Sequence, residues 1–487
     1  MWEASLYLGL EEYMLWFLFC TGVLIAGYFI YGKIVEKIFG PAPERQTPAY
    51  SMGDGVDYVP MANWKVYMIQ LLNIAGLGPI FGPILGALYG PVAMLWIVFG
   101  CIFAGAVHDY FSGMLSVRAN GASVPTVVGN ELGNWAKQFM NIFAVILLLL
   151  VGIVFVLGPA KLLGNLTHWS VPLWVAIIFI YYILATVVPV DKIIGRLYPI
   201  FGALLLFMSI GLIIGLAVSD YGFYSQGLDF QANLHPKGLP IWPLLFITIA
   251  CGAVSGFHAT QSPLMARCIE NESNGRLIFY GAMIGEGIIA LIWCSLGLSF
   301  YEHTEALQAT LTTGGPAGVV HEVSTTLLGG FGGILAVLGV IILPITSGDT
   351  AFRSARLIIA DFLKMDQKPL QKRLMIAVPL FLIGYAITKA DFNVIWRYFG
   401  WANQTTAMFM LWAAAAYLIK NGKFHWICTL PAMMMTAVTV TYLANAQIGF
   451  NLPMSVANVI GIGATVVATV AFFYAFRGGK VAAGGEA

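Results

Sequence analysis

Long apolar segments alternate with short polar ones along the chain. A helix needs about 20 predominantly apolar residues to cross the hydrocarbon core of a bilayer, and thirteen segments approach or meet that length. The pattern predicts an all-α integral membrane protein with about 13 transmembrane helices in a single domain, residues 1–487. The predicted spans are residues 12–32, 66–88, 91–117, 138–160, 172–190, 197–218, 241–266, 277–300, 333–353, 374–389, 391–419, 424–445 and 453–476.

Composition agrees with a membrane protein and excludes other classes. Of the residues, 59% are hydrophobic and 10% charged, whereas soluble proteins carry about 25% charged residues. We therefore expect membrane lipid as a partner. A net charge of +1 argues against a nucleic-acid partner. The six cysteines form no CxxC pair, so neither a disulfide framework nor a zinc knuckle is indicated.

Basic residues are unevenly divided between the two sides that these spans define. With the N-terminus outside, most of the 24 Lys and Arg face the cytoplasm, and only Lys161, Lys237 and Lys389 face outward. Since Lys and Arg are enriched on the cytoplasmic side, we expect an outside N-terminus and a cytoplasmic C-terminus in the inner (cytoplasmic) membrane. Residues 477–487 are expected to form a frayed tail.

Two spans contain clustered glycine and proline. They are "NIAGLGPIFGPILG", residues 73–86, and "CGAVSGFHATQSP", residues 251–263. The two lie five spans apart and so enter the membrane in opposite directions, which is typical of inverted-repeat transporters. The alternative is that the glycines only permit close helix packing. The repeat interpretation divides the chain into an extra N-terminal helix 12–32, a first repeat 66–218, a second repeat 241–419 and two C-terminal helices 424–476.

Two ionisable residues are predicted to handle protons. Glu286 lies deep in an apolar span, and His258 lies in the second interrupted helix. Ionisable groups at such positions are costly and indicate function, and an imidazole titrates near neutral pH. The alternatives are a neutral Glu286 hydrogen-bonded to a neighbouring helix and a purely structural His258.

His108 and Asp109 lie nearer the inner end of their span. We interpret them as part of an internal gate with Arg353, closed by an ion pair to Arg353 or Arg118. The alternative is a solvated helix end, where such ion pairs contribute little.

A hydroxyl-rich segment, "PITSGDTAFRSARLIIAD", begins at Pro344. Thr346, Ser347 and Asp349 offer oxygen ligands that suit a small cation such as Na⁺. The alternative is that the hydroxyls bond back to their own helix.

Cysteine and histidine recur seven residues apart, at Cys101 and His108 and again at Cys251 and His258. Two turns of a straight helix separate such residues too widely for a shared metal, so no metal site and no cofactor are expected. Nucleophile motifs and phosphate loops are absent from the sequence, which argues against an enzyme.

Four segments carry a family resemblance: "NIAGLGPIFGPILGALYGP", "AGAVHDYFSGMLSVRANGASVPTVVG", "SGFHATQSPLMARCIENE" and "TSGDTAFRSARLIIAD". They resemble motifs of the carbon starvation protein A (CstA) family, over residues from about 63 to 365. The family is regarded as peptide transporters, some of which import pyruvate. It is placed in the superfamily with a leucine-transporter-type fold, although longer members have additional helices.

The resemblance implies roles for particular residues. In that fold the first helix of each inverted five-helix repeat is unwound at the substrate site. In sodium-coupled relatives of the fold, hydroxyls of the eighth core helix hold a cation, and the matching region here contains Thr346 and Ser347. The implied substrate-binding residues are Gly76, Leu77, Gly78, Pro79, Gly82, Ser255, Gly256, Phe257, His258, Ala259 and Thr260.

The expected function is secondary active import of a small-molecule substrate, a short peptide or a small carboxylate such as pyruvate, coupled to H⁺ or Na⁺. Backbone N–H groups at the broken helices would bind the carboxylate. An uncoupled channel or facilitator is the main alternative. A membrane-bound enzyme or sensor ranks last, because the sequence shows no catalytic constellation and no soluble output domain.

Overall fold

The computed structural model describes residues 2–55, 57–187, 190–219, 221, 228–367 and 369–476, so the predicted C-terminal tail lies outside it. Within those ranges the regular structure is helical and no strand occurs. The α-helices are α1 Trp2–Phe29, α2 Tyr31–Phe39, α3 Pro48–Ser51, α4 Asn63–Ile74, α5 Gly78–Gly86, α6 Val92–Leu95, α7 Ala106–Arg118, α8 Val124–Leu132, α9 Asn134–Thr167, α10 Val171–Val187, α11 Val190–Val218, α12 Ile241–Thr248, α13 Gly256–Ala266, α14 Gly281–Ser299, α15 Thr304–Phe362, α16 Leu370–Ile387, α17 Phe392–Lys420, α18 Trp426–Asn445 and α19 Met454–Ala475.

Nine helices among the described residues are long and apolar enough to cross a membrane, or ten if the bent pair α4–α5 is one span. The other predicted spans are also helical. They correspond to the shorter α10, the interrupted pair α12–α13, and α17, whose centre carries a polar run from Asn403 to Thr406. The multi-pass helical class is confirmed, whereas the count of thirteen stays a prediction.

The segment between the predicted spans 277–300 and 333–353 is also largely helical. α15 begins at Thr304, and non-helical backbone at Gly315 and Gly329 divides it, so its last part starts close to the predicted start of the span at residue 333. Val319, Val320 and Val323 recur at helical spacing and are buried, so packing against the bundle maintains the helix despite its polar composition.

The first predicted interruption occurs, but it is shorter than expected. The chain leaves the helix only at residues 75–77, and α4 and α5 meet at a 48° bend. The expectation that the unwound stretch reaches Gly82 is wrong, because Gly78, Pro79 and Gly82 all lie within α5. Proline is compatible with the first helical turn, where its missing N–H has no helical partner to lose.

The second interruption lies earlier than the residues assigned to it. The non-helical stretch covers residues 249–255, and α13 then begins at Gly256. Ser255 therefore belongs to the break, whereas Phe257, His258, Ala259 and Thr260 occupy the first turns of α13. Gly252, with φ +89°, supplies the left-handed backbone that turns the chain here.

Two further irregularities precede functional candidates. A π-helical stretch, Trp96–Gly105, runs directly into α7, and another, Arg276–Tyr280, runs into α14. Single-turn π-helical insertions in α-helices are frequent at functional sites. These two precede the helices that carry Asp109 and Glu286.

Candidate functional site

The two helix breaks face each other inside the bundle. A Cβ placed on Gly78 would lie 2.2 Å from Sγ of Cys251, and one on Gly82 would lie 3.0 Å from the carbonyl oxygen of Thr248. The start of α5 therefore contacts the loop between α12 and α13. These glycines allow close approach of the two breaks rather than unwinding the helix themselves.

Each break frees main-chain groups at the centre of the protein. The N–H of Gly76 bonds to the carbonyl of Ile74, so the Leu72 carbonyl loses its ordinary helical donor. Ser347 Oγ on α15 donates to that carbonyl instead, at 3.1 Å. Buried main-chain groups need such partners, because leaving them unpaired is costly.

Asn403 on α17 caps the second break. Its Oδ1 accepts from the N–H of Phe257 at 2.6 Å and from Oγ of Ser255 at 3.2 Å. Sequence reasoning missed this residue. The polar run "NQTT", residues 403–406, inside an otherwise apolar helix was the available signal, since polar groups at membrane depth require partners.

A continuous polar group joins three helices. Asp109 on α7 makes two hydrogen bonds with imidazoles. Its Oδ1 lies 2.8 Å from Nδ1 of His108, and its Oδ2 lies 2.8 Å from Nδ1 of His258. His258 Nε2, on α13, lies 3.2 Å from Oε2 of Glu286 on α14. All four side chains are fully buried, and we call them the His–Asp–His–Glu group.

The chemistry of these atoms restricts where the protons lie. An ionised carboxylate only accepts hydrogen bonds, so with Asp109 ionised both histidines donate through Nδ1–H. His258 Nε2 and Oε2 of Glu286 lie 3.2 Å apart, but they are not oriented for a hydrogen bond. A single proton between them gives an imidazolium facing a carboxylate or an imidazole facing a carboxylic acid, depending on which atom carries it. Away from water such charges interact strongly, and the position of this proton alters the charge beside the two breaks.

The two residues predicted to handle protons therefore lie in contact. The predicted gate does not assemble, because Asp109 pairs with histidines rather than with either arginine. Arg353 instead lies 3.6 Å from Asp349 on its own helix. The alternative of a solvated helix end is also wrong for His108 and Asp109, since both are fully buried.

Arg118 belongs to a second polar cluster at the end of α7. Its guanidinium donates to both carboxylate oxygens of Glu272, at 3.3 and 3.0 Å, and to the Gly40 carbonyl. It also contacts the Tyr417 hydroxyl. Glu272 is buried and additionally accepts from the N–H of Ala42. This cluster ties α7 to α17, to the segment after α2 and to the loop before α14.

The candidate cation ligands in the hydroxyl-rich segment of α15 contact different parts of the protein. Ser347 reaches the end of α4, as described above. Thr346 bonds back to the Leu343 carbonyl at 2.8 Å, which matches the alternative in which hydroxyls serve their own helix. Asp349 faces Arg353 and lines a small cavity with Thr186. The three candidate cation ligands are therefore not brought together.

Three donor atoms approach one another closely enough to surround a metal ion. They belong to Cys251, His258 and Glu286 and lie within 4.8 Å of one another. The argument from a straight-helix spacing of seven is wrong for this pair, because the break returns Cys251 towards His258. Thiolate, imidazole and carboxylate are ligands of transition metals. The 3.2 Å distance between Nε2 and Oε2 is also compatible with exchange of a proton between the two atoms.

Cys101 stands apart from this cluster. Its thiol donates to the Met283 carbonyl at 3.3 Å, so the first Cys–His pair, Cys101 and His108, has a structural contact of its own. Burial alone does not make a cysteine a ligand, since free Cys packs as a small apolar residue.

Comparison with known proteins identifies the family. A family model described as carbon starvation protein CstA matches residues 13–165, 159–326 and 302–442. The chain belongs to the CstA family. An uncharacterized membrane protein of Haemophilus influenzae is 58% identical over 62% of this chain and 95% of its own length.

Relatives in the CstA family with named activities are more distant. The peptide transporter CstA of Escherichia coli is 24% identical over 90% of this chain and 82% of its own length. The pyruvate/proton symporter BtsT of Escherichia coli is 29% identical over 56% of this chain and 47% of its own length. The resemblance drawn from the sequence motifs is thus confirmed.

Solved structures share the fold of this CstA family member. A manganese transporter of Eremococcus coleocola, in complex with an aromatic bis-isothiourea substituted compound, gives a TM-score of 0.53 at 13% identity, over 88% of this chain and 99% of that one. The nucleobase-cation-symport-1 family transporter MHP1, with bromovinylhydantoin bound, gives a TM-score of 0.54 at 15% identity, over 85% of this chain and 92% of that one. At this identity the likeness concerns the fold alone.

Proposed function

We propose that this protein is a secondary active transporter of the inner (cytoplasmic) membrane. It imports a short peptide or a small carboxylate such as pyruvate, and H⁺ is the favoured coupling ion. The observation that carries the proposal is the contact between two broken helices beside a buried group in which an imidazole nitrogen lies 3.2 Å from a carboxylate oxygen. The printed names of the relatives, a peptide transporter and a pyruvate/proton symporter, support both candidate substrates.

The proposed architecture has thirteen spans with the N-terminus outside. Residues 66–218 and 241–419 form inverted five-helix repeats, preceded by one helix and followed by two. The interruptions of α4–α5 and α12–α13, five spans apart, support this arrangement. So does the fold shared with two solved transporters.

The substrate carboxylate is proposed to bind where the breaks meet. The N-termini of α5 and α13 carry partial positive charge, which favours an anion. The proposed contacts of the first break come from Gly76, Leu77, Gly78, Pro79 and Gly82. Those of the second come from Ser255, Gly256, Phe257, His258 and Thr260, with Asn403 holding the backbone of this region.

Coupling is assigned to His258 and Glu286. Transfer of a proton between them changes the charge beside the proposed carboxylate site, which gives a direct link between protonation and substrate binding. Na⁺ coupling remains the alternative, and Ser347 at the Leu72 carbonyl supports it. An uncoupled facilitator would have the same breaks but no dependence on either gradient.

The test is uptake by proteoliposomes that contain the purified full chain. Labelled pyruvate and a labelled dipeptide are supplied separately, each with an imposed H⁺ gradient, Na⁺ gradient or neither. We expect accumulation above equilibrium of one substrate under the H⁺ gradient. Glu286→Gln should abolish accumulation while Glu305→Gln, at an exposed site, should not.

Each other outcome has a definite meaning. Uptake that never exceeds equilibrium identifies a facilitator. Accumulation driven by Na⁺ alone would assign ion coupling to the region around Ser347 instead of to His258 and Glu286. If neither substrate enters under any condition, the assignment of peptide or pyruvate is wrong.

A further inference from the structure

Two parallel helices hold the His–Asp–His–Glu group in register. Asp109 on α7 bonds to His258 on α13, and one turn further along, Oγ of Ser112 lies 3.0 Å from Oγ of Ser262. Ser262 also donates to the His258 carbonyl. Two successive contacts between the same helices fix the position of Asp109 relative to the imidazole.

Asp109 makes hydrogen bonds with imidazoles through both of its oxygens. The ionisable groups around it are His108 on its own helix, His258 on α13, Glu286 on α14, Cys251 in the second break and Cys101 in the stretch before α7. The only partners of opposite charge among these are the histidines. Asp109 is therefore arranged to hold imidazole rings rather than to close an arginine gate.

We propose that Asp109 is the positioning residue of the coupling site. By accepting from Nδ1–H, it fixes the tautomer of His258, so that Nε2 is the nitrogen that exchanges a proton with Glu286. It also stabilises the imidazolium form of His258. The inference rests on the proposed function and deepens it, because it names what makes His258 a directed proton donor.

The step is a single proton transfer. The N–H bond at His258 Nε2 breaks as an O–H bond forms at Glu286 Oε2, and the reverse transfer restores the first state. The Nδ1–H of His258 stays on nitrogen throughout. His108, donating to the other oxygen, helps to keep Asp109 ionised, since hydrogen bonds to a carboxylate favour its charged form.

The decisive variant is Asp109→Asn, which keeps the size of the side chain and removes its charge. An amide cannot accept from both histidines, so His258 loses both its fixed tautomer and its counter-charge. We expect H⁺-driven uptake to fall about 100-fold. The alkaline limb of its pH profile should move to lower pH by about 1 to 3 pH units.

A second readout separates positioning from folding. Counterflow, the exchange of labelled for unlabelled substrate without a gradient, requires binding and reorientation but no net proton movement. Counterflow in Asp109→Asn should fall much less than H⁺-driven uptake does, and Asp109→Glu should restore part of the pH profile. Asp391→Asn is the matched control, because Asp391 caps α17 and Asn is an equally good cap.

Three results would overturn the inference. One is an unchanged pH profile in Asp109→Asn. Another is an equal loss of counterflow and H⁺-driven uptake with an unchanged profile, which indicates a structural role. The third is loss of uptake in the original protein on chelation and its recovery with Zn²⁺, which would make Cys251, His258 and Glu286 a metal site. Failure of the proposed function is distinct, because the original protein would then show no uptake and no counterflow.

Discussion

Gly78 shows how a single residue sets the spacing of the two breaks. Its Cα faces the side chain of Cys251, which is 2% exposed. No other residue type fits without moving one break, since even the smallest added side-chain atom would fall 2.2 Å from sulfur.

Gly78→Ala should therefore lower the melting temperature of the detergent-solubilised protein, by an amount equivalent to about 1–3 kcal/mol of overpacking. Adding Cys251→Ala should recover part of this loss, as residues in contact are energetically coupled. Gly463→Ala is the control, because a Cβ there meets nothing within 4 Å. If the effects of Gly78→Ala and Cys251→Ala on the melting temperature were simply additive, the contact between these two residues would be contradicted.

Sequence reasoning identified some residues of the group and misassigned others. Glu286 and His258 were recognisable because ionisable residues in apolar spans are rare. Asp109 was placed in a gate because it lies nearer the inner end of its span. The burial of Asp109 depends on how α7 packs against α13, and this packing is not evident from the sequence alone. The same holds for Asn403, whose partner is 146 positions away.

At the scale of elements, the breaks require caps as well as glycine. The N-terminus of α13 has no capping side chain of its own, and Asn403 of α17 supplies the acceptor. Local sequence predicted that the helices would be interrupted, but not where each would resume, since Pro79 and Pro263 are accommodated within helices.

Asn403→Ala should destabilise the protein by about 1–3 kcal/mol, because it leaves the buried N–H of Phe257 without an acceptor. Thermal unfolding in detergent measures the effect. Thr406→Val on the same helix is the matched control, since the Thr406 hydroxyl bonds only to the Ala402 carbonyl of its own helix. Equal stability of the two variants would show that Asn403 is not the cap.

At the scale of the whole molecule, the Arg118–Glu272 cluster joins distant parts of the chain. It connects the segment after α2, the end of α7, the loop before α14 and α17. In the proposed orientation it lies on the cytoplasmic side. Charge placement predicted which side Arg118 occupies, but not its partner in a loop 154 positions away.

Arg118→Lys should open that side more often. Lysine cannot form the forked contact of a guanidinium, and a lost hydrogen bond to a charged group is worth about 2 kcal/mol. We expect faster labelling of Cys251 by a small thiol reagent, located by mass spectrometry. Arg45→Lys is the control, because Arg45 is exposed and its Nε lies 3.9 Å from the same carboxylate, which is too far for a hydrogen bond. Equal labelling of Cys251 in both variants would show that the Arg118–Glu272 cluster does not limit access from this side.

The side-chain contacts between helices differ in how closely they fix one helix against the next. Asp109, His258 and Glu286 lock α7, α13 and α14 together through side chains whose geometry allows one register. Towards α15, the described side-chain bonds include those from Ser347 and Ser354 to main-chain carbonyls. The Leu72 carbonyl accepts from Ser347 because the first break removes its helical donor, so this contact depends on the break itself. We therefore expect α7, α13 and α14 to move as one body in any rearrangement, and the contacts of α15 with α4 and α13 to be the ones that change.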